Sequence, residues 1–539
     1  MSRSSPSGGL LAPVERLLDA LLDPARRERT CVWLMFGYAA VWGLYGAIAK
    51  SSQDLHYDMG EMVALSREDL LGTPKHPPLG SWLVRCWFSV FPLDDWAYYL
   101  FAVIVATIGL WIAWRLSADY LDGEKRVVGL MLLTLVPLYN FQALKFNANA
   151  VLIPFWAATT WWFLRSFETQ SLRYAALAGL AAGAAMLGKY WTVVLLAGLA
   201  IAALADPRRG AYFRSGAPWV TIACGTIALM PHLAWLVVND FPPLHYTMVS
   251  HALSSRWDAA LTGLVYVVGA IGYLAAPILL VILMRPRAAA LADTMWPRDL
   301  ARRLALLAFA LPILLPVPAA VVASASMTPL WMMSAMTLAP VVLLSSPLLV
   351  VPRPTVVRIV ALAIIFPLLM AAASPVIAII IHRTGVPNDA GHYRLLAAAI
   401  DQAWRETSDR PLPLVGSNSK LVNGVVFYLS SRPSSYELTH PQLTPWVDKA
   451  RIAREGIAVV CPADDDFCNV MLDRLASRLA PGKNKEVTLS RTYFGTADSR
   501  KALFHCYHPT AGPTQAVTES VAVASRNSAS VTFGRKRDQ

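Results

Sequence analysis

His56-Tyr57-Asp58-Met59-Gly60-Glu61, and then Lys75-His76-Pro77-Pro78-Leu79, is the stretch whose reading decides this chain. It lies just after the first strongly apolar run, Val32 to Ala49. If its first part is helical, Asp58 and Glu61 are three positions apart and share one face. The two prolines fix φ and bias His76 towards an extended conformation, which makes Lys75-His76 a rigid basic turn. A carboxylate pair and a basic turn held against a membrane point to chemistry on a lipid-borne group. The same residues would also suit a solvated loop closed by a proline stop.

Working outward, the composition sets the class. Of 539 residues, 56% are apolar and only 15% charged, and the mean hydropathy is +0.46. That is too apolar for a soluble protein and fits a multi-span membrane protein. Residues 1–30 are polar and basic, with no small-residue cleavage motif after a short apolar core, so the first apolar run is expected to stay in the membrane. The net charge of +12 does not imply nucleic acid, because no basic stripe with interleaved aromatics or zinc-finger spacing is present. Arginines cluster between apolar runs instead, as the positive-inside rule requires.

Apolar runs over 31–50, 96–114, 217–238, 259–284 and 356–381 each suit one span. Three longer stretches are long enough for hairpins, given the ~20 residues needed to cross hydrocarbon. They are Arg126 to Arg165, broken at Lys145-Phe146-Asn147-Ala148-Asn149; Tyr174 to Ala205, broken at Gly188-Lys189; and Arg303 to Arg353, broken near Ser324–Met327. The expectation is a mostly α, polytopic protein of about eleven transmembrane helices. Up to Arg358, twenty Lys and Arg then fall on the inner side and seven on the outer, so the N-terminus (1–30) is expected in the cytoplasm. The membrane domain would cover 31–381, with an outer loop over 51–95.

From His382 the chain turns soluble. Pro411–Gly416 and Gly456–Cys461 read as buried strands, Asn423–Leu429 and Cys468–Leu479 as helical pieces, and Lys485–Leu489 and Lys501–Tyr507 as closing strands. The expectation is a small α/β domain over 382–508, outside the cytoplasm because the span number is odd. The tail, 509–539, is rich in Ser, Thr, Val and Ala and is expected to be disordered. In an oxidising compartment Cys461 and Cys468 are the favoured disulfide, closing a short acidic loop. Cys31, Cys86 and Cys224 lie in or beside apolar runs and read as packing residues.

With that topology Asp58, Glu61, Lys75, His76, Lys145, Asn147, Asn149, Lys189, Asp240 and His245 all fall on the outer face. Lys145 and Lys189 are the basic residues of the tight outer turns, where the orientation rule would not put them; they either serve function or snorkel to the interface. Asp58 and Glu61 offer a base and a helper. They would also suit a hard divalent cation, although two carboxylates are too few to specify one. The loop Asn239-Asp240-Phe241-Pro242-Pro243-Leu244-His245-Tyr246 could close over the first. There is no nucleotide-binding loop and no His-Glu-x-x-His.

An Asp in the first outer loop, a following acid, then x-His-Pro-Pro-Leu-x-x-Trp resembles the GT-C polyprenyl-phosphate-sugar glycosyltransferases, in their ArnT-like, protein-mannosyltransferase-related branch. The residues are Asp58, Glu61, Lys75-His76-Pro77-Pro78-Leu79 and Trp82, and the likeness extends through Lys145–Asn149, Gly188-Lys189-Tyr190 and Asn239-Asp240-Phe241. The resemblance implies inverting transfer of one sugar from a polyprenyl-phosphate carrier to an envelope acceptor, on the periplasmic side of a bacterial inner membrane. Lipid A, lipopolysaccharide core, another glycolipid or a protein could be that acceptor. It also implies Asp58 as the base, and Lys75 and His76, with Lys145 and Lys189, at the donor phosphate. Asn149, Asp240 and His245 are candidates for the acceptor side. Two departures stand out: the family's Asp-Glu dipeptide is stretched to Asp58-x-x-Glu61, and its second Asp appears as Asn149. Both make a bound metal doubtful. The competing readings are a lipid or sugar transporter, which should show carboxylates inside its spans, a structural membrane subunit, which would leave the Asp58 and His76 loop without a role, and a protein O-mannosyltransferase-like enzyme.

Overall fold

The computed structural model describes residues 11–68, 70–384, 392–479 and 483–507. Five of its helices are long and apolar enough to cross a membrane: Arg27–Ala49, Asp95–Ser117, Ala217–Val238, Leu300–Ala323 and Arg353–Thr384. At 1.5 Å per residue, a helix of 23 residues reaches about 35 Å, enough for a hydrocarbon core of about 30 Å. Two further spans are bent pairs, Gly123–Thr134 with Pro137–Leu144 at 74° and Arg256–Tyr273 with Ala275–Leu283 at 50°. Each bend has a proline just beyond it, Pro137 and Pro277, whose ring clashes with the carbonyl four residues back. The protein is a multi-pass membrane protein.

The other four expected segments are helical as well. Leu172–Gly188, Thr192–Ala205 and Pro329–Leu344 are short, however, and Ala148–Thr169 falls outside the strongly apolar set. By length and composition, five to seven spans stand among the described residues, and these four helices make up the rest of the eleven expected segments. Close helix crossings use small residues: a Cβ on Gly179 would lie 2.3 Å from the Thr221 carbonyl, so Leu172–Gly188 and Ala217–Val238 meet nearly backbone to backbone.

The C-terminal region folds around a five-stranded sheet in the order β2-β1-β3-β5-β4. The strands are β1 (Leu414–Ser417), β2 (Ser434–Glu437), β3 (Ile457–Pro462), β4 (Lys483–Tyr493) and β5 (Thr496–Tyr507). β1 pairs in parallel with β2 and β3, while β5 runs antiparallel to β3 and β4. β2, with the polar sequence Ser-Ser-Tyr-Glu, carries no strand signal and was not expected. The helices are Tyr393–Arg405, also unforeseen, Ser419–Tyr428, Lys449–Glu455 and Asp466–Ala476. Cys461 at the end of β3 is joined to Cys468. The expected disordered tail over 509–539 lies outside the described residues.

Candidate active site

Residues Tyr57–Ser66 form a helix, hereafter the site helix. Its N-cap is His56, whose Nδ1 accepts from the Asp58 amide at 3.1 Å and so satisfies one of the first-turn donors. Asp58 and Glu61 therefore share the face that the spacing anticipated. Across from them, Thr73 builds the basic turn: its hydroxyl accepts from the amides of Lys75 (3.3 Å) and His76 (2.8 Å).

Each carboxylate meets its own cation. Lys75 Nζ donates to Glu61 Oε1 at 2.8 Å, and His76 Nε2 lies 3.4 Å from Glu61 Oε2. Lys145 Nζ is 2.8 Å from Asp58 Oδ2 and 3.2 Å from His56 Nε2. Asn147 also donates to Asp58 Oδ2, at 3.3 Å, while its own Oδ1 caps the Ala148–Thr169 helix by accepting from the amides of Asn149 and Ala150. Lys189 follows the Leu172–Gly188 helix and donates to Asn149 Oδ1 at 2.6 Å, with its ammonium 4.9 Å from the centre of the Trp331 ring.

Burial and pairing compete here, and pairing prevails wherever a carboxylate meets an ammonium. Burial alone would raise the Glu61 pKa, yet Lys75 and His76 hold it well below the carboxylate range. Burial would depress Lys75, but Glu61 keeps its pKa above the ordinary value. Asp58 is likewise lowered against the effect of burial, mainly by Lys145 and His56. Lys189 forms no ion pair with a carboxylate among the described residues, and burial brings it down to about 7.

Most of these groups face one cavity of about 630 Å³; Lys145, expected at the donor phosphate, reaches it only through its ion pair with Asp58 and does not itself line it. Asp58, Glu61, Lys75, His76, Asn149 and Lys189 make its polar side, and Pro316, Ala319, Ala320 and Ala323 part of its apolar wall. Tyr246, from the proline-stiffened loop read in the sequence, and His251 and Trp331, which no local signal marks, close it from segments distant in sequence. Thr73 was not expected and could have been found as a turn residue; His56 and Asn147, both named in the sequence, prove to be helix caps. Asp240 and His245 are exposed and do not line the cavity, whereas Tyr246 of the same loop does.

The donor set does not fit a divalent cation. Both oxygens of Glu61 face cationic or imidazole nitrogens, Asp58 faces Lys145, and no three His, Cys, Asp or Glu side chains converge among the described residues.

Residues 75–235 match the sequence profile of the dolichyl-phosphate-mannose-protein mannosyltransferase family. A lipopolysaccharide core galacturonosyltransferase, RgtB of Rhizobium johnstonii, is 27% identical over 219 residues. That match covers 40% of this chain and 44% of the relative, so the chain spans under half the length of that protein. The crystal structure of ArnT from Cupriavidus metallidurans bound to undecaprenyl phosphate superposes with a TM-score of 0.59 at 14% identity, covering 89% of this chain and 99% of that one. Its apo form gives 0.60 at 13%, covering 88% and 97%. At such identities the likeness is one of fold. Profile, relative and fold converge with the motif on the GT-C glycosyltransferases of the ArnT-like branch.

Proposed function

We propose that this protein transfers one sugar from a polyprenyl-phosphate carrier to an envelope acceptor, with inversion, at the cavity that Asp58 faces. The observation that carries the reading is one cavity that brings the Asp58 carboxylate together with the side chains of Lys75, His76 and Lys189. A glycosyl phosphate is already activated, so no nucleotide is needed. The acceptor hydroxyl attacks C1, its proton passes to Asp58, and the C1–O bond electrons leave with the phosphate. A positioned base supplies ~10²–10⁴-fold, and fixed cations stabilise the departing phosphate.

Asp58 starts from an ion pair with Lys145, which keeps it ionised but weakens it as a base. A donor phosphate that draws Lys145 towards itself would strengthen Asp58 at the moment of transfer. The lipopolysaccharide-core relative favours a glycolipid acceptor over a protein. The proposed setting is a bacterial inner membrane crossed eleven times, with the N-terminus cytoplasmic and the C-terminal domain periplasmic.

The test uses purified protein, labelled polyprenyl-phosphate sugar and envelope glycolipids. Transfer to the glycolipid is expected, whereas a transporter would move the donor and form no product. Asp58→Asn should lose turnover on the order of 10²-fold or more with donor affinity nearly intact. Wild-type turnover in Asp58→Asn would pass the role of base to Glu61.

A further inference from the structure

The site helix belongs to two cores at once. Met59, Met62 and Val63 are buried in the core of the membrane domain. Ala64, 2% exposed, is buried instead among Tyr393, Val422, Val425 and Val426 of the C-terminal domain, and Tyr57 packs against the same cluster. The helix that carries both acids is thus the seam between the two parts of the chain.

At Gly60 the two parts meet backbone to backbone. A Cβ there would lie 2.0 Å from the Asn423 carbonyl oxygen and 2.8 Å from its carbon, so the site helix rests directly on the backbone of Ser419–Tyr428. Since the obstacle is backbone, no side-chain rotation relieves it. On the Cα at position 60 only hydrogen fits.

Both ends of the seam are tied by polar contacts. Before the helix, Asp54 is 1% exposed; its Oδ2 accepts from the Arg394 amide at 3.0 Å and its Oδ1 from the Arg491 guanidinium at 3.0 Å. The next residue, Leu55, donates its amide to the Tyr428 hydroxyl at 2.8 Å. After the helix, Arg67 reaches the carbonyls of Pro433 and Val426, each at 3.0 Å. These contacts run to backbone atoms or to the half-buried side chains of Tyr428 and Arg491 in the C-terminal domain.

We infer that the C-terminal domain is a working part of the transfer site: through Asp54 and Gly60 it fixes the position of the helix that presents Asp58 and Glu61 to the cavity. Asp54 and Gly60 are positioning residues. The inference rests on the reading of the site helix as the bearer of the chemistry. It differs from a cover that selects acceptors, because its effect falls on the rate of transfer. A shift of the helix by even 1 Å, with the donor cations Lys145 and Lys189 on other elements, misplaces the base relative to the bound donor.

The experiment compares Gly60→Ala, Asp54→Asn, Asp58→Asn and a control, Gly37→Ala, in full-length protein. Gly37 lies on the Arg27–Ala49 helix, where an added Cβ meets nothing within 4 Å. Each variant is assayed for donor affinity and single-turnover transfer, with hydrogen exchange read over residues 57–66 and 419–428. Gly60→Ala and Asp54→Asn are expected to lose at least ~10-fold in single-turnover rate, with donor affinity within about threefold, since a displaced base costs rate more than ground-state binding. Faster exchange in both segments should accompany the loss, and Gly37→Ala should match wild type. Should Gly60→Ala fail to fold, Asp54→Asn, which keeps the side chain's shape, decides alone. Wild-type single-turnover rates in the folded variants would overturn the inference, even with Asp58→Asn inactive. Conversely, a fully active Asp58→Asn alongside impaired Gly60→Ala and Asp54→Asn would remove Asp58 as base and leave the positioning role standing.

Discussion

Lys189 donates to the carboxamide of Asn149 at 2.6 Å, where the motif resemblance implied a second Asp. With an amide there, the lysine's charge is left for a substrate, and burial brings its pKa to about 7. The lysine is charged below that value and neutral above it. Donor affinity should therefore be full near pH 6 and weaken as pH rises through 7 to 8. Lys189→Met should bind the donor weakly at every pH, without that slope. Donor titrations of both proteins at pH 6 and 8 check it, and a slope that survives in Lys189→Met would point to another group.

The Lys75–Glu61 pair should behave as a unit. Lys75→Met leaves Glu61 buried without its main cation and is expected to destabilise the protein by about 3 kcal/mol. It should also weaken donor binding by about 1.5–3 kcal/mol, if a charge-assisted hydrogen bond to phosphate is lost. Adding Glu61→Gln should recover much of the stability and none of the affinity. Denaturant unfolding and donor titration of the single and double variants separate the two effects.

Glu437, at the end of β2, is 4% exposed, and burial raises its pKa to about 7. A carboxyl whose pKa is higher in the folded state contributes stability that is full below its unfolded value, near 4.5, and is lost as pH rises through about 7. Glu437→Gln, which cannot ionise, should accordingly be more stable than wild type at pH 8, on the order of 2 kcal/mol. The difference should shrink by pH 5. Thermal unfolding at the two values tests this, and a gap independent of pH would refute it.

Cys461 and Cys468 close a short loop, seven residues apart, at the head of the Asp466–Ala476 helix. Replacing both by Ser should cost the C-terminal domain about 2 kcal/mol, from the loop-closure entropy returned to the unfolded chain. Mass mapping of protein alkylated before lysis should find neither thiol free.

The proposed orientation has its own check. A reporter active only in the periplasm should work when fused after Pro411 and fail when fused after Arg209. The reverse pattern would put the cavity on the wrong side of the membrane for a periplasmic transfer.

Much of the site's inventory was legible in the chain, because its signals are local. The i, i+3 spacing put Asp58 and Glu61 on one face, and the two prolines made a stiff turn of Lys75-His76. A lysine within a tight outer turn stood out at 145 and 189 because a charge near hydrocarbon needs a reason. Asp240 and His245 looked equally good on those grounds and lie outside the cavity. Polarity marks a loop but not which of its side chains turns inward: Tyr246 of that loop lines the cavity, and its polar neighbours do not.

What the sequence alone determined is the class, the apolar segments and the kinds of chemistry available, since hydropathy, charge bias and short-range spacing are properties of neighbouring residues. Only the tertiary structure decided which cation meets which carboxylate: Lys75 takes Glu61, Lys145 takes Asp58, and Lys189 is left to Asn149. It alone showed that Trp331 and His251 close the cavity, and that Gly60 lies against the Asn423 backbone of a domain more than 300 residues further along the chain. The physical reason is the range of the forces. Helix faces and turns follow from contacts a few residues apart, but ion pairs, cavity walls and close helix crossings depend on how distant segments are packed.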